Sequence, residues 1–188
     1  QSSAQTNFTI RGYGNGANNP GIEPAVAVYI DGVPRSRSAS ALADLPSVER
    51  IEVLSGPQST LFGKNASAGV ISVSTLMPND SFGGMIEATG GNYGAGIVKG
   101  TVTGPLSDTL SYRLSASDNS SDGYGTNITT GTGVNERNRS AVRGQLLFEP
   151  SDDLAIRVIA DYNEIDEICC AASGLVYGGA TQVAAGIA

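Results

Sequence analysis

The chain has 188 residues, of which 40% are hydrophobic, enough for the cores of one or two domains. Its formal net charge is −7, from 11 Lys+Arg against 18 Asp+Glu with no basic cluster, which argues against a nucleic-acid partner. No apolar run approaches the roughly 20 residues of a membrane-spanning helix, so the membrane structure left open is a β-barrel. The glycine count of 25 and the aromatic content of 6% favour strands and tight turns over helical bundles.

The N-terminal segment begins with polar residues after Gln1 and lacks the charged and apolar regions of a secretion signal. We therefore expect a chain that has been processed or cut from a longer one, and we favour the second. Residues 8–12 (FTIRG) predict a short strand that ends at a glycine, and residues 13–23 predict a loop rich in Gly and Asn.

The next segment predicts a strand, a tight turn and a polar loop. Residues 25–30 are apolar and predict a strand, and Asp31-Gly32 is a dipeptide typical of tight hairpin turns. Residues 35–40 form a polar loop, residues 41–45 predict a brief helical piece, and Pro46 is compatible with its end.

Two further β-branched runs follow, at residues 50–54 and 69–75. The first is stopped by Ser55-Gly56-Pro57, and residues 58–62 are compatible with a short helix. Because about fifteen residues are enough for a crossover holding a helical turn, this stretch predicts a parallel pair in a small α/β unit.

Two glycine-rich stretches imitate nucleotide-binding motifs without completing them. The spacing from Gly56 to Gly63 is too long for a P-loop, and Asn65 stands where the Mg²⁺-binding Ser or Thr belongs. The glycines of residues 12–16 lie in a loop with no strand-to-helix turn. No cofactor is therefore predicted.

The sequence pattern changes at residues 77–80, after which polar and apolar residues alternate. One face is apolar and the other carries arginines such as Arg113 and Arg143, as in transmembrane strands with one lipid-facing and one lumen-facing side. We predict strands at about 84–92, 95–104, 109–118, 139–149 and 153–163. A soluble β-sandwich would give the same alternation, so the pattern alone leaves both architectures open.

The connections between these strands alternate in length. Residues 105–108 and 150–153 predict tight turns, whereas residues 119–138 form a long polar loop and another loop opens after residue 163. Outer-membrane barrels have short periplasmic turns and longer extracellular loops, which places the two tight turns on the periplasmic side.

Three motifs occur in the order VYIDGVP, RIEVLSGP and LFGKNASAGVISV. In residues, order and spacing they resemble the plug domain of the TonB-dependent outer-membrane receptors. The resemblance implies an α+β plug with a small mixed sheet and short helices, followed by antiparallel strands of an incomplete transmembrane β-barrel. We expect the later part of the plug at residues 1–78 and about five barrel strands at 79–188. It also favours a chain cut from a longer one, because it enters the plug partway through.

The resemblance implies TonB-dependent active uptake of a scarce nutrient, often a ferric siderophore, across the bacterial outer membrane. The expected partners are the TonB protein of the inner-membrane energy-transducing complex, outer-membrane lipid and a small ligand. The family's TonB box lies N-terminal to the plug sheet and is absent from this chain, and no covalent chemistry is expected. The alternatives are a passive porin-like or adhesin-like barrel and a soluble β-rich binding module.

The resemblance also implies two sets of functional residues. Loops at the outer apex of the plug meet the ligand in this family, and the matching positions here are Arg11, Tyr13, Asn15, Arg35 and Arg37. Arginine forks suit the oxygens of an anionic iron chelate, although pairing with acidic groups of the barrel wall is an equal alternative.

A polar network that locks the plug to the barrel wall is expected to include Arg11, Arg50 and Glu52. A carboxylate on a buried strand needs a cationic or hydrogen-bonding partner, and these arginines are the candidates for Glu52. Ser55 stands where the family often has an arginine, which puts this lock in doubt.

The adjacent cysteines Cys169 and Cys170 cannot form a zinc site alone, because the chain has no histidine and a structural zinc needs four ligands. In an oxidising outer compartment they could form a vicinal disulfide or pair with cysteines elsewhere, and free thiols are equally admissible. No metal site is predicted.

Overall fold

A computed structural model describes residues 8–14, 23–35, 47–126, 131 and 133–167. Its elements in chain order are β1 (Val26–Ile30), β2 (Val33–Arg35), β3 (Val48–Ser55), α1 (Ser59–Phe62), β4 (Gly69–Thr75), β5 (Gly83–Gly90), β6 (Gly96–Ser107), β7 (Leu110–Ser121), β8 (Gly125–Thr126), β9 (Gly133–Val134), β10 (Arg137–Ser151) and β11 (Leu154–Ile165). No described helix is long and apolar enough to cross a membrane.

The first sheet has the strand order β2-β1-β4-β3 and is mixed, because β1 runs parallel to β4 while the other pairs are antiparallel. Its buried side chains include Val26, Val28 and Ile30 of β1 and Val70 and Val73 of β4. The apolar run of β1 is thus buried on both faces, as expected for a central strand.

The short helix α1 is anchored to this sheet by one aromatic pair. The rings of Tyr29 and Phe62 meet edge to face with centroids 5.1 Å apart, and the Tyr29 hydroxyl donates to the Phe62 carbonyl at 2.5 Å. Both pack against a small core of Ala27, Ala66 and Val70. The helix predicted at residues 58–62 is therefore confirmed.

Two local predictions for this half are wrong. Residues 8–12 do not form a strand, because Ile10 and Tyr13 close a tight turn with two backbone hydrogen bonds of 2.9 Å while Arg11 and Gly12 adopt φ values of 52° and 80°. The parallel crossover is also wrong: β3 and β4 pair antiparallel, and the connection folds back on itself through the bond from Gly56 N to Ala68 O. The helix predicted at 41–45 lies outside the described residues.

The second sheet is open and antiparallel, with the order β11-β10-β7-β6-β5. All five predicted strands are confirmed, and β6 and β10 extend further than expected into the predicted turns. Pro105 is tolerated inside β6 because the register shifts between Pro105 and Ser107, where its missing N–H breaks no regular ladder. The long polar loop contains the two-stranded ribbon β8-β9.

The two faces of the second sheet differ as predicted. The face toward the first sheet buries polar side chains, namely Thr103, Ser111, Arg113, Ser115, Ser117, Asn119, Arg143 and Gln145. The opposite face leaves apolar side chains exposed, among them Ile86, Val98, Leu114, Val142, Leu146, Phe148, Ile156 and Val158. The first sheet therefore packs against the polar face of the second sheet, whose opposite face is apolar.

Candidate functional site: the contact between the two sheets

Asp31 is the centre of the contact between the two sheets. It opens the β1–β2 turn with φ 49°, followed by Gly32 at φ 77°, so the Asp-Gly dipeptide fills the two left-handed positions of a tight turn. Its side chain is 3% exposed and accepts bonds of 2.9 Å from both the Thr75 amide and the Thr75 hydroxyl. The turn is thus fixed to the end of β4.

Arg143 of β10 joins this turn to the second sheet. Its guanidinium, whose side chain is 2% exposed, forms one ion pair with Asp31 and a second with Asp161 of β11, the latter at 2.5 Å. Arg143 and Asp161 stand directly opposite each other in the β10–β11 register, so both side chains point to the same face. A buried charge of each sign is therefore matched across the contact, as buried charges require.

Arg157 of β11 completes the arrangement from four residues closer to the tight turns than Asp161. It lies 3.4 Å from Asp31, donates to the Thr75 hydroxyl at 3.0 Å, and donates to the Gln145 side-chain carbonyl at 2.6 Å. We call Asp31, Thr75, Arg143, Gln145, Arg157 and Asp161 the Asp31 network.

The segment that leaves β4 is also fixed to the second sheet. The Arg113 Nε donates to the Met77 carbonyl at 2.9 Å, and the Asn79 amide donates to the Thr103 hydroxyl at 3.0 Å. Beside it, the Ser47 hydroxyl lies 2.6 Å from that of Thr101. The passage from one sheet to the other is therefore bonded at several points.

Strand directions show which end of the first sheet faces which connections. The segment after β4 reaches Gly83, which pairs with Thr103 near the tight-turn end of the second sheet. Strand β4 and its parallel neighbour β1 thus run toward the tight turns, and β2 runs the opposite way. Arg35, the last residue of β2, therefore leads toward the end that carries the long connection.

The predicted apex residues are only partly described. Arg11 and Tyr13 lie in the exposed turn near the N-terminus, and the Tyr13 side chain is 76% exposed. Arg35 lies 3.5 Å from Asp161 across the contact. Asn15 and Arg37 lie outside the described residues, so the assembly of the five at one site stays a prediction.

The predicted lock residues do not lie at the contact with the second sheet. Arg50 and Glu52 form an ion pair of 3.5 Å on β3, with side chains 64% and 48% exposed. Strand β3 is exposed along its whole length, Ser55 included. Their role as a lock, together with Arg11, stays a prediction, whereas the contact seen in the structure is the Asp31 network. Cys169 and Cys170 lie outside the described residues.

Sequence reasoning missed Asp31 because it treated the residue only as a turn former. A signal was available: the turn joins two strands of a buried sheet, and the alternating strands place arginines on their inner face. A carboxylate at such a turn is the natural partner of those arginines.

A second concave region lies at the long-connection end of the second sheet. This cleft of about 260 Å³ is lined by residues including Tyr93, Asp122, Tyr124 and Arg137. Arg139 and Glu167, in the same lining, form a largely buried ion pair with side chains 13% and 8% exposed. Among the described residues, no group of three or more His, Cys, Asp or Glu side chains could hold a metal ion.

Comparison with known proteins assigns the family. Residues 1–70 match the TonB-dependent Receptor Plug Domain. Residues 1–70 belong to the plug-domain family of the TonB-dependent receptors. The pesticin receptor of Yersinia pestis is 38% identical over 47% of this chain and 13% of that protein. The ferric enterobactin receptor PirA of Pseudomonas aeruginosa is 32% identical over 72% of this chain and 19% of that protein.

Solved structures of this family share the fold. The ferric yersiniabactin uptake receptor FyuA of Yersinia pestis matches with a TM-score of 0.65 and 32% identity, over 69% of this chain and 21% of that one. The pyoverdine receptor FpvA of Pseudomonas aeruginosa matches with a TM-score of 0.65 and 24% identity over 84% of this chain and 22% of that one, which supports the fold alone. The predicted fold class, a plug followed by antiparallel strands of an open sheet, is confirmed. This chain spans about a fifth or less of the length of these relatives, whose family is that of transport receptors rather than enzymes.

Proposed function

We propose that the chain is part of a receptor for TonB-dependent uptake of a ferric siderophore across the bacterial outer membrane. One observation carries the proposal: a plug-type sheet is bonded through buried charges to the polar face of strands whose other face is apolar. In an outer-membrane barrel the apolar face of such strands meets lipid, and the polar face lines a lumen that the plug fills. The names of the relatives, which include ferric siderophore receptors, supply the substrate class.

The height of the apolar face supports the proposed location. On β11 the outward positions run from Leu154 to Tyr162 before Glu164 interrupts them. At about 3.3 Å per residue the run is about 26 Å long, and the strand tilt of roughly 35–45° in outer-membrane barrels makes it about 20 Å tall, comparable with their apolar band of roughly 25 Å. We therefore assign residues 1–78 to the plug and residues 79–188 to the first barrel strands, with lipid, TonB and the siderophore as partners.

The Asp31 network fits a receptor in which the plug is held in the lumen but can be displaced. Its members are charged or polar and are hydrogen-bonded to one another, so the contact is specific without a large apolar interface. This favours binding and transport over catalysis. Arg35 and the other apex residues are the proposed ligand contacts.

The proposed function is tested with cells that lack the gene and that are complemented with the full-length receptor. Complemented cells should regain growth under iron limitation on at least one ferric siderophore from a panel of catecholates, hydroxamates and phenolates. A deletion strain that grows equally well on every member would contradict the proposal, provided that no second receptor for that siderophore is present.

A further inference from the structure

Arg35 is held more loosely than Arg143 and Asp31, the two most buried charged residues at the contact. Its side chain is 29% exposed, whereas those of Arg143 and Asp31 are 2% and 3% exposed. Its ion pair with Asp161 is 3.5 Å long, while Asp161 has a closer partner in Arg143 at 2.5 Å. If Arg35 left, Asp161 would still be paired.

Among the residues that the structure describes, cations outnumber anions around Arg35. Three guanidiniums, those of Arg35, Arg143 and Arg157, share two carboxylates, those of Asp31 and Asp161. The Nε atoms of Arg35 and Arg143 are buried and have no hydrogen-bond partner among the described residues. Because partly desolvated cations favour a nearby anion, the group can accept one more negative charge.

Arg35 also lies at the end of the hairpin opposite to Asp31. It ends β2, the strand that runs toward the long-connection end, whereas Asp31 lies at the opposite end of the same hairpin. The hairpin thus has a firmly held end at Asp31 and a loosely held end at Arg35.

We propose that Arg35 is an exchangeable cation. It binds Asp161 when the receptor is empty and an anionic group of the ligand when the receptor is occupied, while the Asp31 network stays closed. Asp161 then lowers ligand affinity by competing for Arg35. The inference rests on the proposed function and adds that the preferred ligand is an anion whose binding releases the outer end of β2.

The test uses the purified full-length receptor and ferric enterobactin, a tris-catecholate complex with net negative charge, as the probe. Equilibrium binding is measured for the wild type, D161N, R35A and the double variant R35A/D161N. E164Q, a carboxylate on the outward face of the same strand, is the matched control. Hydrogen exchange of residues 26–35 is followed in the same proteins without ligand.

D161N should bind the probe about three- to fivefold more tightly, because an ion pair of this exposure is a weak competitor. R35A should bind more weakly, the double variant should match R35A, and E164Q should match the wild type. Hydrogen exchange in D161N should accelerate at residues 33–35 and stay unchanged at 26–31. Equal or weaker binding by D161N, or a double variant that differs from R35A, would overturn the proposal.

The proposed siderophore uptake and the proposed role of Arg35 can be disproved separately. If the wild type binds no ferric siderophore of any class, the proposed function is wrong. The hydrogen-exchange measurement then shows by itself whether losing Asp161 loosens Arg35. Unchanged hydrogen exchange at residues 33–35 in D161N would overturn the inference even if the receptor transports iron normally.

Discussion

Replacing Asp31 by asparagine should weaken the hold of the plug on the barrel wall. The amide keeps the volume of the side chain and can still accept the Thr75 amide bond, but it removes the charge that faces Arg143 and Arg157. Breaking a buried ion pair costs about 3–5 kcal/mol. Because Arg143 keeps Asp161 and Arg157 keeps Gln145, we expect the lower end, about 3 kcal/mol.

The assay is the thermal unfolding of the plug in the purified full-length receptor, together with the sensitivity of cells to a large antibiotic that a plugged barrel excludes. D31N should lower the unfolding temperature of the plug and increase the leak. D108N, at the exposed tight turn between β6 and β7, is the matched control and should change neither. If D31N and D108N have the same unfolding temperature of the plug and the same antibiotic sensitivity, the role given to the buried charge is refuted.

Three further predictions concern the residues singled out from the sequence. Changing Arg35 and Arg37 together to alanine should weaken binding of an anionic chelate by more than about 1.4 kcal/mol, a tenfold loss, while the barrel inserts normally; unchanged affinity would make these arginines structural. Glu52→Ala should loosen the plug without abolishing ligand binding, and unchanged protease sensitivity would instead favour a solvent-facing glutamate. Cys169 and Cys170 should be oxidised in an extracellular loop of the mature receptor, an idea that fails if both thiols alkylate fully without reduction.

The strands of the second sheet could be predicted because each carries its own pattern. Alternation at residues such as Leu114, Arg113, Val142 and Arg143 fixes both the strand and the face, since neighbouring side chains point to opposite sides. That local signal needs no knowledge of the rest of the chain.

The first sheet was harder because its pairing depends on distant segments. Strand β4 pairs parallel with β1 and antiparallel with β3, and nothing within residues 50–75 distinguishes these two arrangements. The FTIRG segment has strand-forming residues, yet its arginine and glycine turn the chain back at once. For β3 and β4, tertiary pairing decided what local propensity could not, whereas the FTIRG segment forms a local turn between Ile10 and Tyr13.

The residues at the contact between the two sheets also differ in whether a local pattern or a distant segment determines their position. Arg143 was expected on the inner face because of its place in the alternation, whereas Asp31 gave only a turn signal, and its burial depends on a strand more than a hundred residues away. Glu52 was expected in a buried lock because it alternates with Ile51 and Val53, but β3 is exposed on both faces in the part of the chain that the structure describes.

The most direct test of the account is the energy dependence of iron uptake by cells that carry the full-length receptor. The initial rate of uptake of radioactive iron, supplied as the siderophore that supports growth, is compared between cells with and without TonB. We predict that binding at the cell surface persists in both and that uptake stops without TonB. Uptake at the same rate in the absence of TonB would contradict the account and indicate a passive porin-like barrel.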